Sequence, residues 1–472
     1  MLYEWIGDSN FATGMHNYLK RFSYSAASTE DLWTELEAAA NLPVTKVMKD
    51  WTGRMGFPII EAEIEEQTED SVTIKLSQSK FSTIAKSAEI SDEPWNVPIE
   101  ILSSAGKMNI LIDQKINKVK IEKFKSENGW IMINSGAAGF FHTKYSADLT
   151  NRLMKNLENL KTVDRLKLSS DLYCLCRAGV EPSDKYLKLF QAYSAETEYS
   201  VLSDILDGIE TFKSFADYLQ VGPKLDSIII STISSCAGKI GWAAQECDTH
   251  TTPLLRALLL RHLGLAKHQE TVKHAQLKFS DFKSKPESLD PNLKSTVFAI
   301  CAANSNSIAD FLELHAGYDL QEEKDRIEVS IGSVKKTELI EKVIDFAFGG
   351  SVRHGDIPHT LTCLARGSRE GRIAVWNIIQ KKIDFLKEKL GGQFLLSGLL
   401  KSVLSGFDDE NQIKEIEKFF KENPVSNASM AIKQGSFTKK NFLTKNSLGL
   451  ENIQIRSNWI KRDGDLIKEF LK

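Results

Sequence analysis

Nine histidines and six cysteines are the residues of this 472-residue chain that could bind a metal or carry a thiol reaction. Their spacing argues against most such chemistry. No histidine opens a HExxH frame, and no two lie four apart, so the two-histidine face of a metallopeptidase helix is not encoded. His262, His268 and His274 are separated by six, which turns successive rings by about 240° around a helix and denies them a common face. His354 and His359 flank Asp356 and Pro358 in what reads as a loop. Cys174 and Cys176 fall within a helical stretch and have no second pair nearby, so they read as packed thiols. Glu61, Glu63 and Glu65 alternate with apolar residues as the wet face of a strand does. Neither a GxSxG elbow nor a GxxxxGK[ST] phosphate loop occurs. No catalytic residue and no metal ligand is assigned within the chain.

The bulk composition narrows the partners. Hydrophobic residues make up 42% and charged residues 26%, enough apolar material for large cores at ordinary solubility. A net charge of -3 with interspersed signs offers no basic tract for phosphate, so nucleic acid is not expected as a partner. No apolar run nears the roughly 18 residues that span a bilayer. The first residues, MLYEWIGDSNF, lack the basic and apolar regions of a signal peptide. Sparse, scattered cysteines suit a reducing compartment, and a cytoplasmic location without membrane association is expected.

Three kinds of periodicity follow one another. Residues 1–57 are helical. Leu2, Trp5 and Ile6 share a face, Phe11, Met15, Tyr18, Leu19 and Phe22 recur at helical spacing, and Ser28 with Asp31 forms a capping pattern. From Phe57 the period becomes two. Ile60, Ala62 and Ile64 answer Val72, Ile74 and Leu76 across Thr68–Asp70, the pattern of an antiparallel hairpin. Further short strands are predicted at 97–102, 108–112, 119–121 and 130–133, making a small β-sandwich that ends near Tyr145. Beyond it the chain is helical to its end, and many short helices joined by polar links predict a HEAT- or armadillo-like stack of helix pairs. Residues 434–449 break the pattern and read as a surface insertion.

The order of several motifs carries a resemblance. Met1-Leu2-Tyr3-Glu4-Trp5, Thr29-Glu30-Asp31-Leu32-Trp33 and Trp51-Thr52 with Gly56-Phe57-Pro58 are followed by Pro94-Trp95 and Pro98-Ile99. Asp164-Arg165, Asp171-Leu172, Gly371-Arg372 and Trp459-Ile460 complete the series. Together they resemble the C-terminal portion of the gluzincin zinc aminopeptidases, in particular the puromycin-sensitive type. The resemblance implies a mostly α protein with a small β-sandwich. Residues 1–57 would be the last helices of a thermolysin-like catalytic domain, 58–146 the sandwich, and 147–472 an α-superhelical domain covering the peptide chamber. It also implies Zn2+, a HExxH helix, a GxMEN loop and a tyrosine in the full-length protein, all upstream of Met1, so none is transferred to residues of this chain.

Such a polypeptide removes N-terminal residues from peptides, whereas this chain alone is expected to be inactive. The missing catalytic portion would belong to the same polypeptide. The alternative is a short, inactive form that serves as a peptide- or protein-binding helical scaffold. Arg326 and Arg372 are the candidates for a peptide carboxylate, against the reading of solvated or helix-pairing arginines. Two departures stand out. Where the family carries an arginine after Gly-Tyr-Tyr or Gly-Phe-Tyr, this chain has His142 after Gly139-Phe140-Phe141, which puts a local salt bridge in doubt more than the fold, and residues 434–449 look inserted relative to the family. The start also falls inside a helix, so a truncated gene model is expected, with the face of Leu2, Trp5 and Ile6 uncovered and no N-cap residue before it.

Overall fold

Period-two patterning places every second side chain of the two longest strands in a core, and the register follows from it. In the computed structural model, which describes residues 1–83, 93–125, 127–390, 394–423 and 448–472, β1 (Pro58–Gln67) pairs antiparallel with β2 (Ser71–Lys80). Ile64 lies opposite Ile74 and Ala62 opposite Leu76, all on the core side, with Ile64 only partly buried where a bulge shifts the register before Glu66. Five shorter strands complete two sheets: β3 (Val97–Ser103), β4 (Gly106–Ile112), β5 (Ile116–Glu122), β6 (Ile131–Ile133) and β7 (His142–Tyr145). The sheet orders are β5-β2-β1-β7 and β4-β3-β6, and the β1–β7 pair is parallel. The Glu row is the wet face, where Glu61, Glu63 and Glu65 pair with Lys144, Lys75 and Lys118.

Ahead of the strands stand four helices. The third, Thr29–Ala40, begins with the expected capping box, in which Ser28 Oγ accepts from Asp31 N and Asp31 accepts from Ser28 N. Gly14 lets the helix Asp8–Arg21 press against it, since a Cβ there would lie 2.8 Å from Leu36 Cδ2. The face of Leu2, Trp5 and Ile6 is not uncovered as the sequence suggested. Ile6 is buried, and Leu2 and Trp5 pack around Trp33 and Leu36, because Gly7 at φ 82° breaks the opening helix and turns it back onto the next. Met1 supplies no side-chain cap, as expected.

The described residues form two compact units, Met1–Ala192 and Tyr193–Lys472. Helices after β7 belong first to the former: Ala147–Lys155, Thr162–Ala178 and Ser183–Ala192. In the second unit the helices pair in two rows. Thr252–Leu265, Lys294–Ala303, Gln321–Ile331, Ile357–Gly367 and Phe394–Leu404 each pack on the next. Gln269–Ser284, Ala309–Gly317, Thr337–Phe348 and Arg369–Leu390 cover them in turn. Helices of the first row are buried on several sides, as the unbroken buried run Thr296–Ala302 requires. This is the helix-pair superhelix expected, and the fold class stands as mostly α with a small β-sandwich.

The last helix, Leu448–Phe470, sets Trp459 edge-on to Phe212 and Phe215 of the helix Tyr199–Tyr218. Of the predicted insertion, residues 434–447 lie outside the described residues, and 448–449 open that last helix. One local expectation fails: His359 is not in a loop. Pro358 occupies the first turn of the helix Ile357–Gly367, where its missing N–H costs nothing, so the helix starts before the histidine.

Candidate functional site

The helix Tyr199–Tyr218 is built with two faces. Val201, Leu202, Ile205, Leu206, Ile209 and Phe212 are buried, while Asp207, Glu210, Ser214 and Asp217 recur at steps of three or four and form a polar stripe. That stripe borders a cavity of about 430 Å³ in the helical unit. The other side is cationic. Arg261 comes from Thr252–Leu265, Arg366 from Ile357–Gly367, and Arg369 and Arg372 from Arg369–Leu390, with Lys335 completing the set, while Lys213 lies on the acidic helix itself and pairs with Glu210 at 3.1 Å. Six cations and four carboxylates, counting Asp226, thus line the cavity.

Arg372 is the most confined of these cations. It is 7% exposed, and burial lowers its guanidinium pKa to about 10 despite the charge of Asp408. Asp408 itself is engaged by Arg456 at 2.7 Å. Among the described residues no carboxylate lies within ion-pair distance of Arg372. Gly406 makes room for it, since a Cβ there would meet Arg372 Nε at 2.3 Å. Ser368 fixes the helix start that carries Arg369 and Arg372, its Oγ accepting from Gly371 N at 2.9 Å. Arg369 stacks over the Tyr218 ring.

The acids opposite are partly neutralised. Burial pushes Glu210 up, but Lys213 and His262 outweigh it and hold the carboxyl well below the usual range. His262 is itself pulled down by burial, and its Nδ1 stands 3.2 Å from Glu210 Oε1 without the alignment of a hydrogen bond. An arginine-rich wall with an unpaired, desolvated guanidinium is suited to a carboxylate or another small anion.

Arg326, the other sequence candidate, lies elsewhere. It pairs with Glu323 at 2.6 Å and Glu322 at 3.3 Å on its own helix, the helix-pairing arrangement weighed from the sequence. The structure therefore does not bring the two arginines into one site. Near Arg326 the sequence reading missed a convergence of Asp325, Glu328 and Asp356, whose oxygens lie within 4.8 Å of one another. Gln321 Nε2 donates to Asp325 and Asp356, and His315 Nε2 bonds Glu328 Oε1 at 2.8 Å. Burial keeps the Glu328 carboxyl raised, so the cluster is held by its own donors.

A second polar assembly was also missed. His142 Nδ1 lies 2.6 Å from Asp171 Oδ1, and Lys167 pairs with the same oxygen. Thr143 N donates to Asp171 Oδ2 at 3.0 Å. At the position where the family's arginine is missing, a histidine and a lysine share one carboxylate. The signal was available, since 167, 171 and 174 fall on one helical face. Only the strand partner was beyond local reading.

Residues 130–438 match the ERAP1-like C-terminal domain, and residues 1–51 match the Peptidase family M1 domain. Aminopeptidase M1 of Arabidopsis thaliana is 27% identical over 98% of this chain and 52% of its own length. Aminopeptidase 2, mitochondrial, of Saccharomyces cerevisiae is 24% identical over 100% of this chain and 48% of its own. Glutamyl aminopeptidase of Rattus norvegicus is 26% identical over 91% and 46%. The chain spans about half the length of the curated relatives it matches. No described helix is long and apolar enough to cross a membrane.

Proposed function

Because the chain belongs to the family of ERAP1-like C-terminal domains, we propose that it is the C-terminal part of a peptide-cleaving zinc aminopeptidase of the puromycin-sensitive type. Its work in that enzyme is to hold the distal end of the peptide. The catalytic portion belongs to the same polypeptide, and the assembly is cytoplasmic. Support comes from relatives about twice as long and from the match of residues 1–51 to the peptidase domain. The observation that carries the peptide-holding role is Arg372, a buried cation without a carboxylate against it at the edge of a cavity of about 430 Å³.

The convergent donors among the described residues do not fit zinc. A catalytic zinc takes two histidines and a carboxylate with an open position, and the one convergent donor set among the described residues is carboxylate only. Oxygen donors of that kind suit a harder cation.

Binding of fluorescent peptides that differ only in a free or amidated C-terminus tests the reading. A charge-assisted hydrogen bond to a buried guanidinium is worth about 1.5–3 kcal/mol, so the free carboxylate should bind roughly 10- to 150-fold more tightly. Arg372→Met should erase that preference. Equal affinity for the two peptides in the unaltered chain overturns the assignment. Binding that ignores the terminus favours the scaffold reading instead.

A further inference from the structure

The cavity beside Arg372 carries charges of both signs that are held apart. Glu210 is already answered by Lys213 at 3.1 Å and by His262, whose Nδ1 stands 3.2 Å away. Asp207, Asp217 and Asp226 also line the cavity, yet none has an ion pair among the described residues. The same holds for Arg261, Lys335 and the buried Arg372. Arg372 and Asp217 feel each other's charge while standing beyond ion-pair distance. Packing keeps them there. Arg372 is backed by Gly406, where a Cβ would meet its Nε at 2.3 Å. Asp217 lies against the start of the helix Gly222–Ile240, where a Cβ on Gly222 would come within 3.1 Å of its Oδ1.

A gap with a fixed cation at one end and a carboxylate at the other is complementary to a molecule that carries the reverse pair. Arg369, three residues before Arg372, adds positive charge to the first end. Around Asp217 stand Asp226 and Glu370, which Lys335 offsets only in part, so that end holds an excess of carboxylate. The volume of about 430 Å³ falls in the roughly 300–1,000 Å³ range of small-molecule sites, room for the end of a chain and not for a folded element. Leu258 and Leu265, seven apart on Thr252–Leu265, share the helix face that lines the cavity and offer it an apolar strip. A lysine or arginine at the C-terminus of a peptide matches all three features. It has an α-carboxylate, a side-chain cation and a methylene stem between them.

We propose that this cavity selects peptides whose C-terminal residue is lysine or arginine, with the α-carboxylate on Arg372 and the side-chain cation on Asp217 and Asp226. The assignment rests on the Arg372 reading above and adds the identity of the terminal residue. A terminal glutamate would set a further carboxylate against Asp217. An apolar terminal residue would desolvate that acid without giving it a partner.

The test is fluorescence anisotropy of the full chain with one labelled peptide that ends in lysine, acetyl-lysine or glutamate, each made as free acid and as amide. Lysine and acetyl-lysine differ in charge but share the stem. The lysine free acid should bind about tenfold more tightly than the acetyl-lysine free acid, and the glutamate peptide more weakly than either. Asp217→Asn should bring lysine and acetyl-lysine to within about twofold while the free acid remains preferred over the amide, which also shows that the site is folded. Asp226→Asn should act in the same direction. Arg372→Met should do the opposite, erasing the free-acid preference. Equal affinity for lysine and acetyl-lysine, with the free acid still preferred, overturns this proposal and leaves the Arg372 reading standing. Indifference to both the cation and the carboxylate overturns both. A lysine placed inside the peptide, ahead of a neutral terminal residue, checks for simple attraction to the chain's net charge of -3. A gain from it equal to that of the terminal lysine also overturns the proposal.

Discussion

Replacing His142 with glutamine should destabilise the first unit in a way that depends on pH. The imidazole pKa stands at about 9 in the fold against an ordinary 6.5. A group raised on folding stabilises fully below its unfolded pKa and loses that contribution as pH rises through its folded pKa. The difference of about two and a half units corresponds to about 3 kcal/mol at 1.36 kcal/mol per unit. The side chain is only 16% exposed, so solvent screening removes little of it. The stability gap between the unaltered chain and His142→Gln should thus be about 3 kcal/mol larger at pH 6 than at pH 10. Urea denaturation with pulsed hydrogen exchange over residues 141–146 reads the unfolding of this unit rather than of the whole chain. A gap that is constant with pH, or that widens as pH rises, refutes the reasoning.

Other expectations concern packing and length. Gly14→Ala places a Cβ 2.8 Å from Leu36 Cδ2 and 2.9 Å from its Cα. Overpacking of about 1–3 kcal/mol should outweigh the roughly 1 kcal/mol gained in helix propensity, so thermal unfolding should begin at lower temperature. Gly406→Ala drives a methyl into the Arg372 guanidinium and should weaken binding of free-carboxylate peptides with little effect on the amidated form. An immunoblot of source tissue with antibody to residues 151–472 should show a band near twice the 53.0 kDa of this chain. A band at 53.0 kDa alone would point to a real short protein acting as a scaffold.

Local pattern was enough for much of the fold. Alternation at Ile60–Ile64 and Val72–Leu76 specified a hairpin because a strand's side chains have a period of two, and the capping box at Ser28 is written within four residues. Leu339, Ile340 and Val343 marked their helix by spacing at 3.6 residues per turn, and all three are buried. What could not be read depends on tertiary placement. Arg326 and Arg372 are the same residue type on helices, yet one is satisfied by Glu322 and Glu323 and the other has no such neighbours. The difference for Arg372 lies in Asp408 being taken by Arg456, 48 residues away along the chain. His142 and Asp171 were singled out only as separate motifs, since no periodicity connects a strand to a helix 29 residues on. The uncovered face predicted for Leu2, Trp5 and Ile6 failed because a single glycine at position 7 redirects the chain.

The parallel pairing of β1 with β7 has a consequence for synthesis. Ile59 finds its partner only at His142, so the four-stranded sheet cannot close until the last strand has left the ribosome. In the interval β1 has β2 on one side and an open row of backbone donors and acceptors on the other. That edge offers a template to any neighbouring nascent chain, and until Lys144 arrives on β7 the Glu61 carboxylate along it stands without its cation, a like charge to the Glu61 of a second copy. Glu63 and Glu65 are already answered by Lys75 and Lys118 on strands made earlier, so the guard during translation rests on Glu61.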